Sequence, residues 1–231
     1  MESEIIDDLL LDIRENKYSD NEKLPSENYL SEKYSVPRLQ VRNAYKRLEQ
    51  MGYIYSLQGR GRFLKKKTKN IELMLSGNES FTSKMKANGY NLETINVFCE
   101  RIPYDEDIFK ELRVNREVPV YKIGRLRIVD HEPLAIHISY ISKKVFEHIS
   151  SEGKSITSMF NYYKHKGFID YKSNKAIIEI CYPTSRERSY LKCSELVPVL
   201  KLSTNCIHKK SDTILEYTEI IYRGDKVKYK I

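Results

Sequence analysis

Apolar residues recur at helical spacing through the first fifty positions. Ile5, Ile6, Leu9, Leu10 and Ile13 fall on one side of a segment spanning 3–15 whose other side is acidic, which predicts an amphipathic helix. The polar turn SDNEK ends it. Ser26 then precedes ENYLSEKY, where Leu30 and Tyr34 share a face, and Pro37 opens a further helix, RLQVRNAYKRLEQM, stopped by Gly52. On this third helix Val41, Ala44, Leu48 and Met51 gather on one side, while Arg38, Leu39, Arg42, Asn43 and Lys46 project from the other. Two strand-like pieces, YIYSL and RFLK, flank Gln58-Gly59-Arg60-Gly61, a tight hairpin tip. Three helices followed by a basic hairpin form a winged helix-turn-helix.

The run KKKTKN (65–70) lacks apolar residues and reads as a linker. Beyond Ile71 the period changes. Helices are predicted near 82–88, 105–112, 155–165 and 185–193, and strands near 93–102, 119–129, 134–141, 174–181, 197–208 and 213–223. The expected fold class is α+β: a winged helix-turn-helix domain over 1–65, a linker over 66–72 and a second domain over 73–231.

A chain of 231 residues, 40% hydrophobic and 31% charged, suits a folded globular protein and excludes collagenous or wholly disordered classes. No apolar run approaches the roughly 20 residues of a membrane-spanning helix, and MESEIIDDLL is acidic where a signal peptide is basic, so no membrane partner is expected and the cytoplasm is the expected location. Cys99, Cys181, Cys193 and Cys206 stand apart without metal-ligand spacing, so neither disulfides nor a metal are expected, and nothing calls for a cofactor.

The net charge of +8 is unevenly distributed. Residues 1–32 carry three Lys/Arg against ten Asp/Glu, residues 33–69 eleven against one, and residues 70–231 twenty-six against twenty-one. Such concentration points to a polyanionic partner for the middle block, double-stranded DNA given the local fold. Arg38 and Arg42 lie one turn apart at the start of the third helix, where two guanidinium forks can reach guanine edges. Leu39 can lie against a thymine methyl, Gln40, Asn43 and Lys46 complete the groove-facing set, and the tip Gln58-Gly59-Arg60 suits an adjacent minor groove.

These residues carry a resemblance. Leu24-Pro25-Ser26-Glu27, Leu30-Ser31, Val36-Pro37-Arg38, Val41-Arg42, Leu48-Glu49, Gly52-Tyr53-Ile54 and Gln58-Gly59-Arg60-Gly61 resemble the DNA-binding domain of GntR-family bacterial transcription factors. The resemblance implies a homodimer on a pseudo-palindromic operator, with Arg38 and Arg42 reading bases and the Gly59 wing in the minor groove. The second half resembles the UTRA effector-binding domain of the HutC subfamily through Phe81-Thr82-Ser83, Val120-Tyr121-Lys122-Ile123-Gly124-Arg125-Leu126-Arg127, Glu132-Pro133-Leu134-Ala135 and Glu216-Tyr217-Thr218-Glu219 to Asp225. That likeness implies a chorismate-lyase-like antiparallel sheet flanked by helices that binds a metabolite without transforming it.

Arg125 and Arg127 alternate with apolar neighbours, so both project from one strand face toward a carboxylate or phosphate. Thr82 and Ser83 begin one predicted helix, and Ser155 and Thr157 another, each with free N–H groups that favour an anion. The family resemblance assigns Phe81, Thr82, Arg125, Ser155 and Thr157 to a phosphate, Glu216 and Tyr222 to sugar hydroxyls, and sets His137 where several relatives carry a glutamate. With Arg127, these form the candidate effector site. A phosphorylated amino sugar is the leading effector, with a disaccharide phosphate, a phosphonate or urocanate as alternatives. The rival reading, an enzyme on the chorismate-lyase-like fold, lacks support: the five histidines are scattered, with no H-E-x-x-H, G-x-S-x-G or P-loop pattern.

Overall fold

Ile5, Leu9 and Ile13, spaced four apart, bury one stripe of helix α1 (Glu2–Arg14). In the computed structural model, which describes residues 1–66, 71–74 and 81–230, this stripe packs against α3 (Arg38–Gln50), and α2 (Glu27–Tyr34) also packs against α3. Ser26 caps α2 by accepting the Tyr29 N–H at 3.1 Å, satisfying a donor the helix itself cannot pair. Ser35 ends it in the left-handed region. Val41, Ala44, Tyr45 and Leu48 are the buried face of α3. Met51, expected among them, is the half-buried C-terminal cap, and Tyr45 takes the core position, its hydroxyl donating to the Pro25 carbonyl at 2.6 Å. Pro37 is not the first helical residue; its extended ψ of 140° leaves it just outside, at the cap.

Strands β1 (Ile54–Leu57) and β2 (Gly61–Leu64) pair from Ile54↔Leu64 to Leu57↔Gly61. The tip between them needs positive φ at Gly59 (+71°) and at Gly61 (+113°), a conformation that other residues adopt only with strain. The hairpin is the wing of a winged helix-turn-helix.

The second domain is built on an antiparallel sheet. Its strands are β4 (Leu92–Arg101), β5 (Val120–Val129), β6 (Glu132–Ser142), β7 (Tyr171–Lys172), β8 (Ala176–Cys181), β9 (Val199–His208) and β10 (Ile214–Arg223), ordered β4-β5-β6-β10-β9-β7, with β8 also on the outer edge of β9. Around it lie α4 (Phe81–Ala87), α5 (Glu106–Glu111), α6 (Ile149–Glu152), α7 (Met159–His165) and α8 (Ser185–Leu191). The fold is therefore α+β, as its sequence pattern predicts.

Several elements differ from the sequence expectation. The helix expected over 155–165 is interrupted: a 3-10 turn occupies Gly153–Ser155, and α7 begins only at Met159, because Ser158 caps it by accepting the Asn161 N–H. Residues 71 and 72, placed in the linker by the sequence, begin β3 (Ile71–Met74), which pairs in parallel with the C-terminal strand β11 (Val227–Lys230). Linker residues 67–70 lie outside the described residues.

The two domains touch where α3 ends. The Gln50 side-chain amide donates to Glu195 at 2.6 Å, and the Leu196 N–H donates to the Gln50 carbonyl at 3.3 Å. Residues 192–198 connect α8 to β9, so this contact sits at the foot of a strand that continues into the second domain's main cavity.

Candidate nucleic-acid interface and ligand cavity

Burying Val41, Ala44, Tyr45 and Leu48 turns the opposite side of α3 to solvent. Arg38, Leu39, Arg42, Asn43 and Lys46 are all exposed there, and Leu39, an apolar residue, is 63% exposed. Gln40 is the exception among the groove-facing candidates: it is half-buried, and its side-chain oxygen has no partner among the described residues. Gln58, Gly59 and Arg60 stand exposed at the wing tip.

Sequence reasoning missed what organises the arginines. The carboxylate of Glu27, at the start of α2, lies 2.8 Å from Arg62 Nη1, 3.2 Å from Arg42 Nη2 and 3.6 Å from Arg38 Nη2. Burial would raise the Glu27 carboxyl, but hydrogen bonds from Arg42 and Arg62 outweigh it and hold the group below its ordinary value. Arg62 is itself fixed over the Tyr45 ring, 4.7 Å from its centroid. Glu27 is one of ten acidic residues in the first block, so the charge pattern gave no signal that it faces the arginines.

In the second domain the sheet register assembles the site. Directly opposed residues of antiparallel strands face the same way. Arg125 is opposite His137, which is opposite Ile220; Arg127 is opposite Ala135, which is opposite Tyr222; and Ser139 is opposite Thr218, which is opposite Thr204. Alternation along β10 brings Glu216 onto that face with Thr218, Ile220 and Tyr222. Helix α4 covers one end with Phe81 and Thr82. Together they line a cavity of about 500 Å³, within the usual range for small-molecule sites.

The charges here are buried. Arg125, Arg127, His137 and Glu216 are each exposed by 6% or less. Arg125 donates to Ser139 Oγ at 2.5 Å; Arg127 donates to Thr94 Oγ1 at 2.6 Å and to the Thr157 carbonyl at 3.3 Å, with its guanidinium 5.5 Å from the Phe81 ring centroid. The Nε atoms of both arginines, His137 Nε2, Glu216 Oε2 and Thr218 Oγ1 have no hydrogen-bond partner among the described residues. Buried polar atoms in native proteins are almost always paired, so this cluster is prepared for a polar occupant.

Burial pulls Arg127 down to about 9, still protonated at neutral pH. His137 is driven well below its ordinary value by burial and by the neighbouring Arg127 and Arg125, so it is neutral. Phe81 meets His137 edge-on at 4.9 Å between centroids, and Tyr222 does so at 5.9 Å.

Of the nine effector-site candidates, the cavity unites Phe81, Thr82, Arg125, Arg127, His137, Glu216 and Tyr222. Ser155 and Thr157 are exposed and line a neighbouring recess instead, and neither starts a helix; the Ser155 hydroxyl donates to the Glu152 carbonyl. Thr157 reaches the site only through its backbone contact with Arg127. Ser158, Asn174, Thr204, Asn205 and Thr218 line the cavity and were missed. Thr218 was within reach, because it shares the alternating face of Glu216 and Tyr222; the others depend on pairings far apart in sequence.

Residues 1–64 match the family of bacterial regulatory proteins of the gntR type, and residues 87–228 match the UTRA domain. The chain belongs to the GntR family, in its UTRA-bearing branch. It is 27% identical over 223 residues to the HTH-type transcriptional repressor NagR of Bacillus subtilis, spanning 96% of this chain and 90% of that one. It is 26% identical over 229 residues to the probable fructoselysine utilization operon transcriptional repressor of Escherichia coli, spanning 95% and 88%. The crystal structure of PhnF from Mycobacterium smegmatis shares the fold, with a TM-score of 0.64 at 20% identity and 96% of each chain covered. This GntR protein is a DNA-binding transcriptional regulator with a small-molecule effector, not an enzyme. Among the described residues no helix is long and apolar enough to cross a membrane, and no group of His, Cys, Asp and Glu could hold a metal ion.

Proposed function

We propose that this regulator is a cytoplasmic repressor that senses a small phosphorylated metabolite, with a phosphorylated amino sugar as the best fit. One observation carries the reading: two buried guanidiniums with unpartnered Nε–H groups share a cavity with a Glu216 oxygen that lacks a donor. With His137 neutral, the two arginines exceed the single carboxylate by one positive charge, which favours an anionic group between Arg125, Arg127 and Thr82. Glu216 and Thr218 then take hydroxyl or ammonium donors from the rest of the molecule. Names such as the fructoselysine repressor support a sugar-derived effector. A phosphonate satisfies the arginines equally but leaves Glu216 without its donor, whereas planar urocanate offers only a carboxylate and an imidazole.

The test is a thermal shift panel. Glucosamine 6-phosphate and its N-acetyl form should raise Tm with concentration, by about 2.7 kcal/mol of stabilisation at one hundred times Kd, while the unphosphorylated sugars should not. Equal responses to phosphorylated and unphosphorylated sugars would remove the anion from the account.

On the DNA side, Arg38 and Arg42 read bases, Leu39, Asn43 and Lys46 line the major groove, and Arg60 at the wing enters the minor groove. The working unit is a homodimer. Edge strand β8 supports it, for Ile177, Ile180 and the adjoining Tyr182 are 46%, 76% and 67% exposed beside unpaired backbone, an arrangement that monomers usually protect. Sedimentation should give twice the chain mass of 27.3 kDa; a single-chain mass at micromolar concentration would exclude this. Effector occupancy shifts the DNA-binding domains through β9 and the Gln50–Glu195 contact, changing the spacing of the two recognition helices.

A further inference from the structure

We infer that Glu27 is a specificity-determining positioning residue of the DNA interface: its single carboxylate holds Arg38, Arg42 and Arg62 so that their free N–H groups are presented in one fixed arrangement. The inference rests on the reading that Arg38 and Arg42 contact bases.

A carboxylate on a surface meant for phosphates is a cost in affinity, since it repels the same polyanion the arginines attract. Its geometry shows what is gained. Arg42 gives Glu27 its side edge, Nε at 3.4 Å to one oxygen and Nη2 at 3.2 Å to the other. That leaves Nη1 and the second hydrogen of Nη2 free, the end-on fork that matches O6 and N7 of guanine. Arg38 reaches the same Oε2 through Nη2 alone. Both arginines are long, flexible and more than half exposed, so without an anchor each would sample many rotamers and meet any phosphate nearby.

The anchor is itself braced. The Glu27 side chain is only 13% exposed, and Arg62 grips its Oε1 at 2.8 Å while lying over Tyr45. Tyr45 in turn is buried in the core and bonded to the Pro25 carbonyl, two residues before Glu27. Arg62 belongs to β2, so the chain of contacts runs from the wing through the core to the reading face of α3. Glu27 thereby joins the two DNA-contacting elements into one rigid constellation, and specific recognition gains what non-specific attraction loses.

The experiment measures affinity for an operator duplex and for a scrambled duplex of equal length, at fixed salt, in the full chain. Glu27→Gln should leave scrambled-DNA affinity equal or higher, because a negative charge is gone, and lower operator affinity, so that the specificity ratio falls by about tenfold or more. Glu27→Asp keeps the charge but shortens the reach, so scrambled-DNA affinity should be unchanged while the ratio falls. If Glu27 were merely a charge, Glu27→Gln would raise both affinities equally and Glu27→Asp would do nothing. If it were merely a fold residue, both affinities would fall together with Tm. Either pattern overturns the inference. Arg42→Ala separates the two levels of the claim: a ratio unmoved by Arg42→Ala sinks the base-reading premise, whereas a ratio that falls for Arg42→Ala but stays within twofold for both Glu27 variants sinks the role of Glu27 alone.

Discussion

The regulator carries two arginine constellations that solve opposite problems. On α3 the guanidiniums are exposed and share a carboxylate; in the sheet cavity Arg125 and Arg127 are buried and have only neutral acceptors. A surface that meets a polymer of phosphates must avoid binding every stretch of it, so a carboxylate tempers the attraction and fixes geometry. A cavity that must capture one small anion can leave its cations under-compensated, two guanidiniums to the one carboxylate of Glu216, because walls of protein limit access and burial strengthens each contact. Pairing serves discrimination on the surface, and its absence serves capture inside.

The largest expected effect breaks the cavity half of this comparison. Arg127→Met should abolish the Tm response to the phosphorylated sugar, a loss of about 3 kcal/mol or more in binding for a charged hydrogen-bonded anchor. The unliganded variant should be as stable as the parent or more so, since an apolar side chain replaces a buried charge whose hydrogen bonds go only to neutral acceptors. On the surface the pattern reverses: Arg42→Ala should cost about 1–3 kcal/mol of operator affinity, leave Tm nearly unchanged, and leave effector binding intact.

A smaller effect sharpens the contrast through pH. His137 is held below its ordinary value in the folded chain, so between about 6.5 and that lower value the unfolded chain binds a proton that the folded chain refuses. Stability should therefore fall as pH drops below about 6.5, with a slope of at most about 1.4 kcal/mol per pH unit from this residue, and melts of His137→Gln should lose that component. A parent and variant with parallel pH profiles would place His137 outside the buried, cationic environment described. The smallest effect concerns the link between the halves. Glu195→Ala should leave operator and effector affinities individually near normal but change their coupling by about 0.5–2 kcal/mol, seen as an altered shift in operator Kd on effector addition.

How much of this was legible beforehand differs between the halves as well. The first domain is local: helical periods, a capping serine and two wing glycines lie within a few residues of one another, so the reading face of α3 follows from spacing alone. What spacing could not give is Glu27, whose importance depends on three partners from two other elements. In the second domain alternation was enough to put Arg125 and Arg127 on one strand face, whereas Glu216 and Tyr222 were indicated only by the family resemblance. Their meeting in one cavity depends on strand order, because β5 and β10 are separated by β6. Ser155 and Thr157 went astray for a related reason: the sequence looks like one helix from 155, but the side chain of Ser158 starts α7 later, which turns both residues toward a different recess. Strands β3, β7 and β11, only four, two and four residues long, are too short to announce themselves, and exist because partners elsewhere in the chain complete them.

The most direct test of the account is the affinity of an operator duplex for the parent chain and for Arg127→Met, each with and without glucosamine 6-phosphate. The account predicts equal operator affinity without the sugar phosphate, a marked change on its addition to the parent, and no change for the variant. An Arg127→Met chain that still responds, or that has lost operator binding in the absence of the sugar phosphate, would contradict the division of labour between the two arginine constellations.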